Sequence, residues 1–299
     1  YGSMYGGSTT SILVNIPGEA ASVVTCIDGH QMAKQGRAGP ALGISAFGSF
    51  IAGTFALVAL MLVAPKLASV AIAFGPADYF SLMVLGLVVL TFLTQGSMAK
   101  ALLMACIGVV LGLIGLDSIT AQPRLTFGRM ELIDGIGLVP VVMGLFGVAE
   151  VLLNTEQVIR RDIINAKITH LLPSKADWKA SAGPMGRGTL LGFFLGILPG
   201  GGAVVASFAS YALEKRLSKT PERFGNGAIE GVAGPEAANN SAATASLVPL
   251  LALGIPFTPI AALMISAMMV QGVQPGPLLI TQKPELFWGI VASMYIGNL

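Results

Sequence analysis

Long stretches of this chain carry no charged side chain. The longest covers 46 residues, 237–282, and another covers residues 38–65. Hydrophobic residues make up 54% of the sequence and charged residues 11%, whereas soluble domains contain about 25% charged residues. A hydrocarbon core about 30 Å thick is crossed by roughly 20 apolar residues in a helix. The composition therefore predicts an all-α polytopic integral membrane protein.

Several segments are apolar enough to span a membrane. The predicted spans are 41–64, 79–97, 101–116, 135–153, 258–273 and a last one that begins near Leu286. Residues 154–187 form a polar segment with six Lys or Arg residues and three Asp or Glu residues. Because positively charged loops remain on the cytoplasmic side, this segment is expected to be a cytoplasmic connector.

Four short motifs recur in the same order about 240 residues apart. The first copy is Asn15-Ile16-Pro17, Gln35-Gly36, Gly39-Pro40 and Gly43-Ile44-x-Ala46, and the second is Gly254-Ile255-Pro256, Gln271-Gly272, Gly276-Pro277 and Gly289-Ile290-x-Ala292. Chance is the alternative, since these residue types are common here. A long repeat of Gly/Pro-interrupted apolar segments is typical of secondary transporters with two related, inverted halves.

The repeat divides the chain into three parts. Residues 1–153 are the first repeat, 154–187 the connector and 188–299 the second repeat. The sequence begins without Met and ends within an apolar run. We therefore expect a fragment that lacks part of each repeat at its outer end.

Segment 188–213 is apolar and is followed at once by Lys215 and Arg216. A crossing here would put one of two basic segments outside the cell. At its centre lies Pro199-Gly200-Gly201-Gly202, which disfavours a continuous helix. Two half-helices of about 11 residues would each rise roughly 16 Å, enough to reach the membrane midplane. We expect a re-entrant hairpin with its tip at 199–202; the alternative is one kinked span.

Two polar stretches interrupt the apolar sequence, 5–11 in the first half and 239–241 in the second. We expect broken helices there, with their backbone satisfied by protein or by a water-filled cavity. Hydroxyl and carbonyl oxygens would bind a cation, and N–H groups at helix ends would bind an anion. The candidate substrate- and ion-binding residues are Gly6, Gly7, Ser8, Thr9, Thr10, Pro199, Gly200, Gly201, Gly202, Asn239, Asn240 and Ser241. Alternatively, the small residues only permit tight helix packing.

Four acidic residues lie near these stretches. Glu19 and Glu236 are candidate coupling carboxylates, because a carboxylate at membrane depth is costly and usually functional. The alternative is that both cap helix N-termini at the interface. Asp28 and Glu230 are expected to be structural.

Enzymatic motifs do not occur in the sequence. It contains no His-Glu-x-x-His zinc helix and no P-loop, so we expect a non-enzyme with no cofactor beyond a bound Na⁺. The net charge of +2 does not indicate a nucleic-acid partner. A channel subunit or a non-transporting membrane scaffold is the alternative function, because glycine-lined re-entrant loops also build filters.

Long strings of this sequence resemble the TctA family, the large membrane subunits of tripartite tricarboxylate transporters. The matching strings are residues 5–22, 28–34, 36–43, 196–202, 231–240 and 274–277. In family members, a second Pro-Gly-x-Gly hairpin precedes the string that corresponds to residues 5–11. That hairpin is absent here.

The resemblance implies a bacterial inner-membrane symporter for citrate-like tricarboxylates or related small carboxylates. It implies coupling to a Na⁺ or H⁺ gradient and transport by alternating access. The implied partners are a small membrane subunit, a periplasmic substrate-binding protein and membrane lipid, with a homodimer left open.

Overall fold

The structure is a computed structural model that describes residues 2–93, 97–117, 120–156 and 171–299. It is mostly helical, and its short antiparallel pair β1 (Gly115–Leu116) and β2 (Pro123–Arg124) is confined to one loop. The predicted all-α class is confirmed. The α-helices are α1 Gly2–Val14, α2 Val23–Lys34, α3 Ala38–Ile72, α4 Pro76–Leu93, α5 Met98–Gly112, α6 Leu138–Val142, α7 Ala149–Glu156, α8 Lys175–Ile197, α9 Gly202–Leu217, α10 Glu230–Ala245, α11 Leu247–Leu253, α12 Pro259–Val270, α13 Leu279–Gln282 and α14 Pro284–Gly297.

These helices belong to two compact units. The first unit contains α1–α3, α8–α11, α13 and α14. The second contains α4–α7 and α12, with the π-helical turn Met143–Val148 between α6 and α7. Each unit therefore takes helices from both sides of the basic segment.

One helix in the described part of the chain is both long and apolar enough to cross a membrane. This is α3, whose 35 residues contain the predicted span 41–64. Pro76–Val88, Met98–Gly112 and Pro259–Val270 are apolar but shorter. The other spans therefore remain predictions. Within the predicted connector, residues 157–170 lie outside the described residues.

Helix α8 begins earlier than the predicted segment 188–213. Ser174 is its N-cap, and the side chains and backbone of Ser174 and Asp177 form a reciprocal capping box. The helix therefore starts at Lys175, inside the predicted connector, and its 23 residues rise about 34 Å. The predicted half-helix of about 11 residues was too short, because that prediction relied on hydropathy and overlooked the cap; the boundary between connector and second repeat at 187/188 remains a prediction.

Helices α8 and α9 form a hairpin. The guanidinium of Arg187 donates to both carboxylate oxygens of Glu214, at 2.8 and 2.6 Å, although 27 residues separate them. The chain reverses at residues 198–201, where Leu198 is extended before Pro199 and Gly200 has φ +71°. The single kinked span is therefore wrong for this segment. The membrane depth of the tip remains a prediction.

The polar stretches are not helix breaks, which corrects the prediction. Residues 5–11 lie inside α1 and residues 239–241 lie inside α10. Non-helical backbone instead follows α1 at Asn15 (φ +55°) and α11 at Gly254 (φ +73°), just before each Ile-Pro pair. The polar side chains allow these helices to continue because they bond to other side chains and to carbonyl groups.

The Gln-Gly motifs of the two copies have the same backbone geometry. Gly36 (φ +77°) and Gly272 (φ +69°) end α2 and α12 in the left-handed conformation. In each case the next N–H donates to the carbonyl five residues earlier, Arg37 to Met32 at 2.8 Å and Val273 to Met268 at 2.9 Å. Both helices therefore end in a Schellman motif.

The core of the first unit is built around α10, which packs on α8, α3 and α9. A Cβ added to Gly188, Gly192 or Gly196 of α8 would lie 2.2–2.4 Å from a carbonyl oxygen of α10. The carbonyls belong to Gly234, Ala238 and Ala242, which have the same four-residue spacing. The two helices therefore run parallel with their backbones in contact, which holds residues 236–240 in the interior.

Candidate functional site

The carboxylate of Glu236 lies in the interior of the first unit. Glu236 is fully buried, two turns into α10. Ser8 of α1 donates to its Oε2 at 2.5 Å and Thr25 of α2 donates to its Oε1. The side chains of Ser45 on α3 and Asn239 on α10 also lie close to the carboxylate. Four helices therefore meet at one acidic group, which we call the Glu236 cluster: Ser8, Thr25, Ser45, Glu236 and Asn239.

No lysine or arginine in the described part of the chain forms an ion pair with Glu236. This distinguishes Glu236 from Asp177 and Glu214, which pair with Arg37 and Arg187. The capping alternative is wrong for Glu236, because it lies well inside the helix rather than at its N-terminus. An anionic Glu236 would therefore need a cation or a proton to offset its burial.

The two asparagines extend this cluster along α10. Nδ2 of Asn240 donates to Ser49 Oγ at 2.7 Å, to Asn239 Oδ1 at 2.5 Å and to the carbonyl of Glu236 at 3.1 Å. Both side chains are fully buried. Among the described residues, however, Asn239 Nδ2 and Asn240 Oδ1 have no hydrogen-bond partner. The pair therefore offers one free donor and one free acceptor in the interior.

Only part of the predicted N-terminal group joins this site. Ser8 reaches Glu236, whereas Thr9 and Thr10 are exposed and Thr10 bonds back to the carbonyl of Gly7. Gly7 contacts the loop after α1, since a Cβ on Gly18 would lie 2.4 Å from its Cα. Gly6 is exposed, with open space around it. The geometry thus fits a packing role for Gly7 and a polar contact for Ser8.

Among the described residues, Ser241 and the hairpin tip bond to groups other than the Glu236 carboxylate. The hydroxyl of Ser241 donates to the carbonyl of Thr189 at 2.7 Å and so joins α10 to α8. At the tip, Gly200 N–H donates to the carbonyl of Phe257 at 3.4 Å, beside the second Ile-Pro motif. Gly201 has no room for a side chain, because a Cβ would lie 1.9 Å from the Leu195 carbonyl oxygen. Pro199 and Gly202 flank this turn.

Glu19 has a capping role and also lies near the cluster. Its Oε2 accepts from Ala21 N–H at 2.9 Å, and with Ser22 it forms a capping box before α2. Its other carboxylate oxygen is buried without a partner among the described residues. Its charge is near enough to interact with that of Glu236. The capping alternative is therefore confirmed for Glu19, which does not exclude a second role.

Asp28 organises the loop that leads into α10. Its Oδ1 accepts from the backbone N–H groups of Gly225, Gly227 and Ala228 at 2.8–2.9 Å. Its Oδ2 accepts from the hydroxyl of Tyr211 on α9 at 2.9 Å. Asp28 thus joins α2 and α9 to the start of α10, a structural role.

Sequence reasoning did not find Thr25, Ser45 or Ser49. Each is a single hydroxyl residue in an apolar helix, and such residues are usually satisfied by their own backbone. The available signal was weak: α2 and α3 each follow the first polar stretch and so could be expected to line the same interior. Only the folded geometry directs these hydroxyls to Glu236 and Asn240.

Comparisons with known proteins agree over the whole chain. The family model described as "Tripartite tricarboxylate transporter TctA family" matches residues 1–299. The chain is 56% identical over all its 299 residues to an uncharacterized 52.8 kDa protein in the TAR-I ttuC' 3'region of Agrobacterium vitis, and it spans 60% of that relative. A 108-residue match, 65% identical, covers 36% of the chain and 45% of an uncharacterized protein in the TAR-II ttuC' 3'region of the same organism. No solved structure matches the chain.

Proposed function

The chain belongs to the tripartite tricarboxylate transporter TctA family, and from that membership we propose that it is the large permease subunit of a binding-protein-dependent secondary transporter. The proposed substrates are citrate-like tricarboxylates or related small carboxylates. The proposed driving force is a Na⁺ or H⁺ gradient across the bacterial inner membrane. A small membrane subunit and a periplasmic substrate-binding protein are the proposed partners.

The observation that carries this proposal is the Glu236 cluster. A fully buried carboxylate is held by hydroxyls and has no cationic partner among the described residues. Such a group is costly in an apolar interior and is a typical site for a coupling cation or proton. Its ligands come from α1, α2 and α3 before the basic segment, whereas Glu236 itself follows that segment. Because the hydroxyl groups come from the first half of the sequence and the carboxylate from the second, the arrangement supports an interior site shared by the two halves.

The asparagine pair is the proposed contact for the substrate. Asn239 Nδ2 is a buried donor without a partner in the described part of the chain, and amide N–H groups bind carboxylate oxygens well. The Gly200 and Gly201 N–H groups of the hairpin tip already donate to the carbonyls of Phe257 and Leu198, so the tip is not included in this contact. Binding an anion near Glu236 requires that the charge of Glu236 first be offset. This requirement would couple carboxylate uptake to the cation.

Alternating access is proposed as the transport mechanism. Each of the two compact units is formed from helices on both sides of the basic segment, as in transporters with two interleaved halves. In this mechanism the Glu236 cluster would be open to one side of the membrane at a time. The conformation of the Glu236 cluster can be compared with substrate bound and with the driving cation bound. Two different conformations would support alternating access, whereas a fixed pore would show one.

The test is uptake of labelled citrate or tartrate by cells that express the full-length protein with its partner subunits. We expect Asn240→Ala to weaken apparent substrate affinity about five- to 150-fold, because a buried polar group lost from a binding site costs about 1–3 kcal/mol. Asn226→Ala is the matched control, since this asparagine is exposed in the loop before α10. Unchanged affinity and unchanged cation dependence in Asn240→Ala would count against the proposal.

The same assay separates the proposal from a channel or scaffold. A gradient-driven transporter accumulates its substrate above the equilibrium ratio, whereas a channel only equilibrates it. Accumulation that collapses when the cation gradient is removed would support the transporter. Uptake that never exceeds equilibrium would support the channel instead.

A further inference from the structure

We propose that the Glu236 cluster is a sodium site in which Glu236 binds a dehydrated Na⁺ together with the hydroxyl oxygens of Ser8, Thr25 and Ser45. The transport role of this site rests on the proposed function, but Na⁺ binding itself does not. The site lies where helices α1, α2 and α3 meet α10. It names the coupling ion and the residues that hold it.

Charge balance requires a cation or a proton at this place. Glu236 is fully buried, and the described residues supply no lysine or arginine to pair with it. Glu19 is a second acidic group near enough to interact with Glu236. An unpaired buried carboxylate costs several kcal/mol. One bound monovalent cation would offset that cost without changing the packing of the four helices.

The ligand set fits a hard cation. Two carboxylate oxygens and three hydroxyl oxygens converge, and no nitrogen or sulfur ligand is among them. Hard cations prefer oxygen ligands of this kind. Ser8, Thr25 and Ser45 are all buried, so the ion would be stripped of bulk water on entry. A proton would need only one acceptor, whereas this arrangement supplies a coordination shell.

Asn239 and Asn240 link the ion to the rest of the interior. Asn239 lies against the Glu236 carboxylate and against Asn240, and its Nδ2 has no partner among the described residues. Asn240 Oδ1 is also without a partner there. Once Na⁺ offsets the charge of Glu236, the free Asn239 N–H group faces a neutral site. An anionic substrate would then bind second, after the ion.

Na⁺ binding is tested by thermal unfolding of the purified full-length protein in detergent, without substrate. NaCl replaces choline chloride at constant ionic strength, with KCl in a parallel series. A ligand that binds only the folded state raises the unfolding midpoint as its concentration rises. We expect the midpoint to rise with Na⁺ in the wild type and not in Glu236→Gln. Thr25→Val should weaken the apparent Na⁺ affinity at least about tenfold, since even outer contacts of a metal site are worth 10–100-fold.

Matched variants control for general effects on folding. Glu214→Gln removes a buried carboxylate that pairs with Arg187, and Thr244→Val removes a buried hydroxyl that bonds within its own helix. Both should keep the wild-type response to Na⁺, whatever their basal midpoint. Thr25→Ser keeps the hydroxyl and should restore most of the affinity that Thr25→Val loses. A Na⁺ response retained in Glu236→Gln, or an equal response to K⁺ or choline, overturns the site.

The outcomes also separate this site from the proposed function. If Na⁺ stabilises the wild type but labelled carboxylate never accumulates, the sodium site stands and the transport proposal fails. If carboxylate accumulates without Na⁺ and Na⁺ does not change the midpoint, the transport proposal stands and the sodium site fails. A midpoint that changes with pH but not with Na⁺ assigns Glu236 to a proton and overturns the sodium site.

Discussion

Two buried acidic residues in the first unit, Asp28 and Glu236, are satisfied by different kinds of donor. Asp28 accepts three backbone N–H groups and a tyrosine hydroxyl, all from neighbouring structural elements. These donors cannot move away without unfolding the loop. Glu236 accepts only from side-chain hydroxyls and lies near an amide, groups that can turn to bind an ion instead. Asp28 therefore fits a structural role, whereas Glu236 fits a role in which its hydrogen-bond partners rearrange.

Asp28→Asn should destabilise the protein without altering its response to Na⁺. Hydrogen bonds to a charged group contribute about 1.5–3 kcal/mol, so we expect a loss of about 2 kcal/mol in the free energy of unfolding. The measurement is denaturant unfolding in detergent. Glu230→Gln is the control, because its pairing with Arg223 is long, at 3.4 Å, and the Arg223 side chain is half exposed. Exposed pairs contribute at most about 1 kcal/mol, so an equal loss in both variants would contradict this assignment.

Among the helices, the contact between α8 and α10 is set by three glycines spaced four residues apart. At each of these positions the partner carbonyl is too close for any side chain. Close packing of helix backbones is the arrangement that small residues permit in membranes. It brings the Asn239–Asn240 turn against α8 and leaves the Asn240 side chain to face Ser49 of α3. Packing and the polar site thus depend on the same pair of helices.

Gly192→Ala should disturb this contact. The added Cβ would lie 2.2 Å from the Ala238 carbonyl oxygen, so the helices must separate. Overpacking of this kind costs about 1–3 kcal/mol. Gly186→Ala, on the same helix with open space around it, should be neutral or slightly stabilising, since Ala favours helix by up to about 1 kcal/mol. Similar unfolding midpoints for the two variants would show that α8 and α10 do not pack in this way.

The elements were partly predictable. The Pro-Gly-Gly-Gly turn indicated the hairpin, because these residues have strong backbone preferences. The predicted breaks at 5–11 and 239–241 were wrong, because polar residues in an apolar run do not by themselves end a helix. Their hydroxyls and amides find partners on other helices, and a single sequence does not show which helices meet. Glu236 was predictable as a group of interest, whereas its hydroxyl ligands were not.

Across the whole molecule, the Glu236 cluster joins parts of the chain that are far apart in sequence. Ser8 and Glu236 are 228 residues apart, and Asn240 and Ser49 are 191 apart. Sequence analysis placed one polar stretch in each half, residues 5–11 and residues 239–241. In the structure, Ser8 of the first half contacts Glu236 of the second half, and Asn240 bonds to the carbonyl of Glu236. Contacts of such long range do not depend on local pattern, which is why residue types were easier to predict than partners.

A double-mutant cycle between Ser8 and Glu236 tests this long-range contact. Ser8→Ala and Glu236→Gln each alter one side of the hydrogen bond, so their effects on the free energy of unfolding should not add. We expect a coupling of about 1 kcal/mol, within the range for residues in direct contact. Ser266→Ala with Glu236→Gln is the control, because the Ser266 hydroxyl bonds to Ala262 in its own helix. That pair should be additive to within about 0.5 kcal/mol. Additivity in the Ser8 pair would mean that α1 does not reach α10, and the site would then lack its contribution from the first half.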